Sequence, residues 1–356
     1  LRKAIEANPQ DFRNYFNLAG AVRAQGRPAE AIAAYEQALR LKPDLAEAWN
    51  GLGLARLALG QPEEAAASIR EAVRVRPNFA LAYNNLGFVH GEMNQFDEAV
   101  ACYREALRLK SNFPGTHVNL GIAFSRLQRQ EEAIGSFEAA LRLNPAAAEV
   151  YCYLGRALAA LYRYTEAEGC YREAIRQMPA LSVAYNDLGL VLYMDGSRYE
   201  EAEGCFRKAI GLDPAVAEFH GNLGRSLYRL GRYEEAGECY NAALACDPDY
   251  SVSRCNLGII QLVFGHFREG WSNYAYRPTR THYRPTPSHR ARFQSVSLAA
   301  SLAGKRLLLD RDQGLGDELF FLRFVPELKR RGGWVAYCPN PKLASLLRRV
   351  DCIDRV

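Results

Sequence analysis

Asparagine recurs along this chain in a register that could bind a polypeptide. Asn17, Asn85, Asn119, Asn222 and Asn256 are separated by multiples of 34 residues once a single insertion is allowed, and Asp187 falls in the same series. A carboxamide carries donors and an acceptor in one plane, so it can grip both the N–H and the C=O of an extended peptide. A row of such groups reads main chain rather than side chains and tolerates many sequences. Asn costs several tenths of a kcal/mol relative to Ala in a helix, so five at one exposed helical position call for a reason. Two other reasons stand beside peptide binding. Each Asn could bond to its neighbour and set the angle between repeats, or the row could simply follow a repeat consensus. Gly51, Tyr153 and Asp187 interrupt the row, which argues against one continuous clamp. Arg156 and Arg225, each three residues beyond a member of the register, could pair with acidic side chains of a ligand, or be solvated surface.

A second candidate lies near the C-terminal end. Gly314-Leu-Gly316 follows an apolar strand-like run, Arg306 to Asp310, and Asp317 opens a helix-like stretch. The glycines can bring backbone amides and a helix N-terminus towards an anion or a sugar hydroxyl. A dinucleotide fingerprint needs a third glycine where this chain has Leu319, so that reading fails. Asp317 is either an N-terminal cap or a carboxylate facing a cleft at the strand ends. The nine cysteines show no metal spacing: Cys102, Cys170, Cys205 and Cys239 share one repeat position, and Cys152 and Cys255 another. They read as small apolar packing residues, and free thiols suit a reducing cytoplasm.

The elements that must hold the Asn row follow from a repeat. Phe12, Ala46, Ala80, Pro114, Ala148, Ser182 and Ala217 open seven units of 34 residues, the sixth carrying one extra residue in Asp195-Gly196-Ser197. Each unit predicts two antiparallel helices, A and B. Large residues at positions 4, 7 and 24 fill the seam, and Gly or Ala at 8, 20 and 27 lets the backbones approach. Proline near position 32 (Pro43, Pro77, Pro145, Pro179, Pro214, Pro248) ends helix B because it cannot donate to the preceding turn. A 34-residue period with this signature is the tetratricopeptide repeat pattern. One unit cannot bury its own apolar face, so neighbours stack into an all-α superhelical solenoid with an extended concave surface.

The expected organisation is residues 1–11 as the end of a preceding repeat helix, 12–250 as seven repeats and 251–277 as a partial, capping repeat. A basic linker follows over 278–303, and 304–356 begins an α/β domain. Residues 277 to 356 hold 16 Lys and Arg against 7 Asp and Glu, a net of +9, while the rest of the chain carries −4. The linker's arginines with His282 and Tyr283 accompany no recognised nucleic-acid module, so an interdomain strap is expected rather than nucleic-acid binding. No stretch of 18 apolar residues exists, so no membrane span is expected. In the last segment, strands at 306–310 and 334–338 alternate with helix-like stretches, which implies a parallel sheet.

The stretch Gly304-Lys-Arg-Leu-Leu-Leu-Asp-Arg-Asp-Gln-Gly-Leu-Gly-Asp-Glu-Leu-Phe-Phe, with Gly270-Trp271, Tyr274 and Arg277, resembles bacterial tetratricopeptide proteins that end in a heptosyltransferase-like glycosyltransferase domain. The Asn row is similar to the asparagine ladder of O-linked N-acetylglucosamine transferases. The resemblance implies a GT-B fold, of which residues 304–356 would be the start of the Rossmann-like N-terminal half, and a nucleotide-sugar donor for the complete protein. It nominates Asp317 as the general base that takes the acceptor hydroxyl's proton, with Gly314 and Gly316 forming the turn beside it. In such enzymes the donor is held mainly by the C-terminal half, so this chain alone is expected to bind no cofactor and not to turn over.

The resulting expectation is a cytoplasmic, bacterial protein whose solenoid holds an extended segment of a partner or acceptor protein on its concave face and presents it to an attached glycosyltransferase. The peptide-binding residues are Asn17, Asn85, Asn119, Asp187, Asn222 and Asn256, with no metal. A non-catalytic scaffold that assembles a protein complex is the alternative; a sugar-lipid transferase whose repeats only dock partners is a weaker third.

Overall fold

The structure is a computed structural model, and the residues it describes are 2–274, 276, 306–310, 329, 330, 332 and 334–338. Two compact units divide the chain, Leu1–Gly265 and His266–Val356.

The first unit is a stack of helix pairs. The A helices span Phe12–Ala24, Ala46–Ala58, Ala80–Glu92, Pro114–Arg126, Ala148–Ala160, Ser182–Met194, Ala217–Arg229 and, for the eighth unit, Ser251–Val263. The B helices span Pro28–Leu41, Pro62–Val75, Phe96–Leu109, Gln130–Leu143, Tyr164–Gln177, Tyr199–Leu212 and Tyr233–Cys246. A further helix, Arg2–Ala7, precedes them. Each starts and stops where the repeat register places it.

The small residues decide how closely the pairs pack. Ala31, Ala65, Ala99, Ala133, Ala167, Ala202 and Ala236, all at position 20, are fully buried. The large residue at position 24 (Tyr35, Ile69, Tyr103, Phe137, Tyr171, Phe206, Tyr240) is buried in every repeat. It rests on position 8 of its own helix A. A Cβ built on Gly121 would lie 2.5 Å from the Phe137 ring, and one on Gly189 2.7 Å from the Phe206 ring. Glycine is therefore required there by contact, since interiors close-packed to this degree cannot absorb a methyl group without a shift.

Between helices A and B the chain turns through a left-handed residue at position 15. It is glycine in five units (Gly26, Gly60, Gly196, Gly231, Gly265) and Asn94, Gln128 or Tyr162 in the others. A side chain in that conformation costs roughly 1 kcal/mol. Between repeats, the position 4 side chain ties down the end of the preceding helix B: Trp49 Nε1–H donates to the Pro43 carbonyl at 2.8 Å and His220 Nε2–H to that of Pro214 at 2.9 Å. Each A helix also approaches the next A helix more closely than successive B helices approach one another. That asymmetry curves the stack so that the A helices line its concave side.

In the second unit the described elements are a helix, Phe267–Tyr274, and two strands, β1 (Arg306–Asp310) and β2 (Trp334–Cys338). The strands pair in parallel, Arg306 opposite Trp334 through Asp310 opposite Cys338. Gly270 is buried, and the Trp271 and Tyr274 rings meet edge-on at 5.8 Å. Gly314, Gly316 and Asp317, like the linker over 278–303, lie outside the described residues. Among the described residues no helix is long and apolar enough to cross a membrane, and no group of three or more His, Cys, Asp or Glu could hold a metal ion.

Candidate polypeptide-binding groove

Position 6 of each helix A, where the Asn row sits, lies along the seam between consecutive A helices. The row was expected to be exposed, and it is so only at its N-terminal end. Asn17 is exposed, Asn85, Asn119 and Asn256 are half-buried, and Gly51, Asp187 and Asn222 are buried, the last two at 5% exposure each. The reason is the curvature: drawing the A helices together closes each position 6 side chain against the A helix of the preceding repeat.

That closure produces a recurring hydrogen bond from position 6 to position 5 of the repeat before. Asn85 Nδ2 donates to Asn50 Oδ1 at 3.0 Å, Asn119 Nδ2 to Asn84 Oδ1 at 3.4 Å and Asn222 Nδ2 to Asn186 Oδ1 at 2.9 Å. Buried Thr116 adds a 2.9 Å bond from its hydroxyl to Asn84 Oδ1. Bonding between neighbouring repeats is thus present at three members of the row. It does not exhaust the amides, because each carboxamide has two N–H groups and an oxygen with two acceptor sites. Asn85 and Asn119, both half-buried, each spend one N–H on the preceding repeat.

Further along, the groove changes character. Arg156 Nε donates to Asp187 Oδ2 at 2.6 Å, and Asn186 Nδ2 lies 3.4 Å from Asp187 Oδ1. Burial pushes the Asp187 carboxyl above its ordinary range even though Arg156 and the two hydrogen bonds pull it down. Arg225 lies over the Tyr193 ring at 4.7 Å and donates to Asn222 Oδ1 at 3.3 Å. Arg156, Asp187 and Arg225, on three successive A helices, line one cavity of about 630 Å³ together with Tyr162, Met194 and Glu218.

Sequence reasoning singled out Arg156, Asp187 and Arg225 but not their convergence. It missed the position 5 partners Asn50, Asn84 and Asn186, which recur in register and could have been found by pairing adjacent positions. It also missed Arg at position 16, the residue before helix B. Arg27, Arg129, Arg163, Arg198 and Arg232 each pair with Glu at position 19. Arg198 and Arg232 reach back as well, to Glu168 at 3.0 Å and Glu203 at 2.7 Å in the preceding repeat. This second ladder ties successive B helices at their N-terminal ends.

Among the described residues, Cys152 and Cys255 are buried, Cys102, Cys170, Cys205 and Cys239 are half-buried, and Cys246 is exposed. Burial pushes the thiols of Cys102, Cys170, Cys205 and Cys239 up to about 11 and that of Cys152 up to about 12, so all five are protonated near neutrality.

Comparison with known proteins agrees with the helical part. The family model described as the cilia and flagella-associated protein 70 C-terminal domain matches residues 1–188, and that described as tetratricopeptide repeat matches 190–251. Protein FlbA of Caulobacter vibrioides is 33% identical over 96 residues, which are 25% of this chain and 15% of FlbA; the chain therefore spans a small part of that relative. A tetratricopeptide repeat protein from Parabacteroides merdae superposes with a TM-score of 0.56 at 17% identity, covering 70% of this chain and 98% of that one. The pilF protein of Pseudomonas aeruginosa does so at 0.52 and 21%, covering 58% and 94%. At these identities the likeness is one of fold.

Proposed function

The chain belongs to the tetratricopeptide-repeat family described as the cilia and flagella-associated protein 70 C-terminal domain, and from that premise we infer that its solenoid binds an extended segment of another protein along the A helices. The observation that carries this is the state of Asn85 and Asn119. Both are half-buried in the concave seam, and each uses one N–H on the preceding repeat. A second N–H on each remains for a peptide carbonyl, and the neighbouring bond holds the amide plane in place, which lowers the ordering cost of binding. Asn17 and Asn256 extend the row at its ends. The buried Asp187 and Asn222 would hold the groove's shape and meet the peptide through the arginines they contact.

The test is fluorescence anisotropy of labelled, unstructured peptides of mixed sequence added to the whole chain. Peptide binding predicts saturable binding that Asn85→Ala and Asn119→Ala together weaken about tenfold, the equivalent of two lost hydrogen bonds. Absence of binding to any peptide would remove this reading.

For residues 304–356 we propose the opening of a heptosyltransferase-like half, with Asp317 as base beside Gly314 and Gly316, and a nucleotide-sugar donor supplied in a protein that also carries a donor-binding half. The resemblance of residues 304–321 and the parallel pairing of β1 with β2 support it. The solenoid would then recruit the acceptor protein in a bacterial cytoplasm. Incubating such a protein with acceptor candidates and nucleotide-sugars, read by intact mass, tests the proposal. A mass gain lost in Asp317→Ala supports it, and no gain with any donor leaves the solenoid as a scaffold.

A further inference from the structure

Three features meet at one place in the groove. The first is Arg225, whose guanidinium lies over the Tyr193 ring at 4.7 Å and spends a single donor on Asn222. Among the described residues it has no carboxylate partner within ion-pair distance, whereas the position 16 arginines have at least one each. A guanidinium carries five N–H donors in a rigid fork matched to a carboxylate. The second is the Arg156–Asp187 pair across the same cavity. A carboxylate is already seated against an arginine here, so the site accepts that chemistry; Asp187 is its internal occupant.

The third is Tyr162. It holds the left-handed turn position (φ 62°) that five other units give to glycine, and it lines the cavity while remaining 78% exposed. A bulky residue in that conformation is an outlier that folding does not ask for, and such outliers gather at ligand sites. Tyr162 leans edge-on against Tyr164, 6.1 Å away, and the side chain of Met194, 53% exposed, also borders the cavity.

We infer that this cavity is a specificity pocket for an acidic side chain of the bound polypeptide, followed by a large apolar one: the carboxylate takes the free donors of Arg225, and the apolar residue lies against Tyr162 and Met194. The inference rests on the peptide-binding reading above and adds a sequence preference to it. Main-chain recognition by the Asn row would hold any extended segment, while this pocket chooses the register. A nucleic-acid ligand fits less well, because its successive phosphates would have to pass Asp187 and exposed Glu218, whereas a single side-chain carboxylate needs only the Arg225 fork.

The experiment compares two labelled peptide mixtures on the full chain. Both are about twelve residues long, enough at ~3.3 Å per residue to follow several repeats. Their flanks are randomised among Ala, Ser, Thr, Gly and Asn, and they differ only at the centre, Glu-Leu against Gln-Leu. The expected result is about tenfold tighter binding of the Glu mixture. That ratio collapses to one in Arg225→Gln, with Arg225→Lys as the second variant should the first unfold. It rises in Asp187→Asn, which releases Arg156. Tyr162→Gly weakens both mixtures while leaving the thermal midpoint unchanged or higher, a combination that loss of structure cannot produce. Equal binding of the two mixtures by the wild-type chain overturns the pocket and leaves main-chain binding standing. Binding of neither overturns both. Displacement of the Glu mixture by an oligouridylate with the same dependence on Arg225 would assign the site to nucleic acid instead.

Discussion

The concave face has two halves built on one plan and finished with different chemistry. Around repeats 2 to 4, Asn85 bonds Asn50 and Asn119 bonds Asn84, and position 9 carries Leu54, Phe88 and Ile122. Around repeats 5 to 7, Asn222 bonds Asn186 at nearly the same distance as Asn85 does Asn50, but Asp187 replaces Asn at position 6 and Arg156 and Arg225 replace apolar residues at position 9. Helix lengths and the position 20 and 24 packing are unchanged between them. The helix-pair packing is therefore the same whichever residues line the groove. Positions 20 and 24 carry the packing within each helix pair while positions 6 and 9 vary, which is how a solenoid can change its lining without altering its fold.

Breaking the shared plan should hurt both halves equally and most severely. Gly87→Val and Gly189→Val each force a side chain into the ring of Tyr103 or Phe206. Each is expected to cost about 3 kcal/mol, the upper end for overpacking, read as local loss of hydrogen-exchange protection in the affected repeat. Unequal losses would show that the halves differ in packing as well as in lining.

The bridging amides should separate the halves. Asn222→Ala leaves the buried Asn186 oxygen without its donor and takes an acceptor from Arg225, for a loss of about 2 kcal/mol in urea unfolding. Asn85→Ala removes one donor from Asn50 at a position that is itself half-buried and bonds no arginine, and is expected to cost nearer ~1 kcal/mol. A reversed order would mean that burial does not set the strength of these bridges.

The smallest effect is a pH dependence confined to the charged half. Burial raises the Asp187 carboxyl in the folded chain above its unfolded value of 3.8. The folded state then binds more protons than the unfolded one between those two values, so this group's contribution is most favourable below about pH 4 and declines as pH rises through the raised value. Asp187→Asn removes the decline. The difference in thermal midpoint between variant and wild type should grow as pH rises out of the acid range and level off near neutrality. A flat difference would show that Arg156 fully compensates the burial.

How much of this could be read in advance differs between scaffold and site. The helices, their ends and the small-residue contacts such as Gly121 on Phe137 follow from a period of 34, because each is set by residues close in the chain or one repeat away. The Asn register was visible for the same reason. Its burial was not: a helical wheel places position 6 off the seam between helices A and B, but says nothing of the neighbouring A helix that closes over Asp187 and Asn222.

Local sequence thus specifies the repeat, since helix propensity, proline stops and glycine contacts act over a few turns of chain. What it leaves open is how far successive pairs rotate, a property of the stacked interfaces as a whole. That rotation brings Arg156, Asp187 and Arg225 to one cavity from three successive helices, and it turns Tyr162 from an odd residue in a turn into part of that cavity's lining.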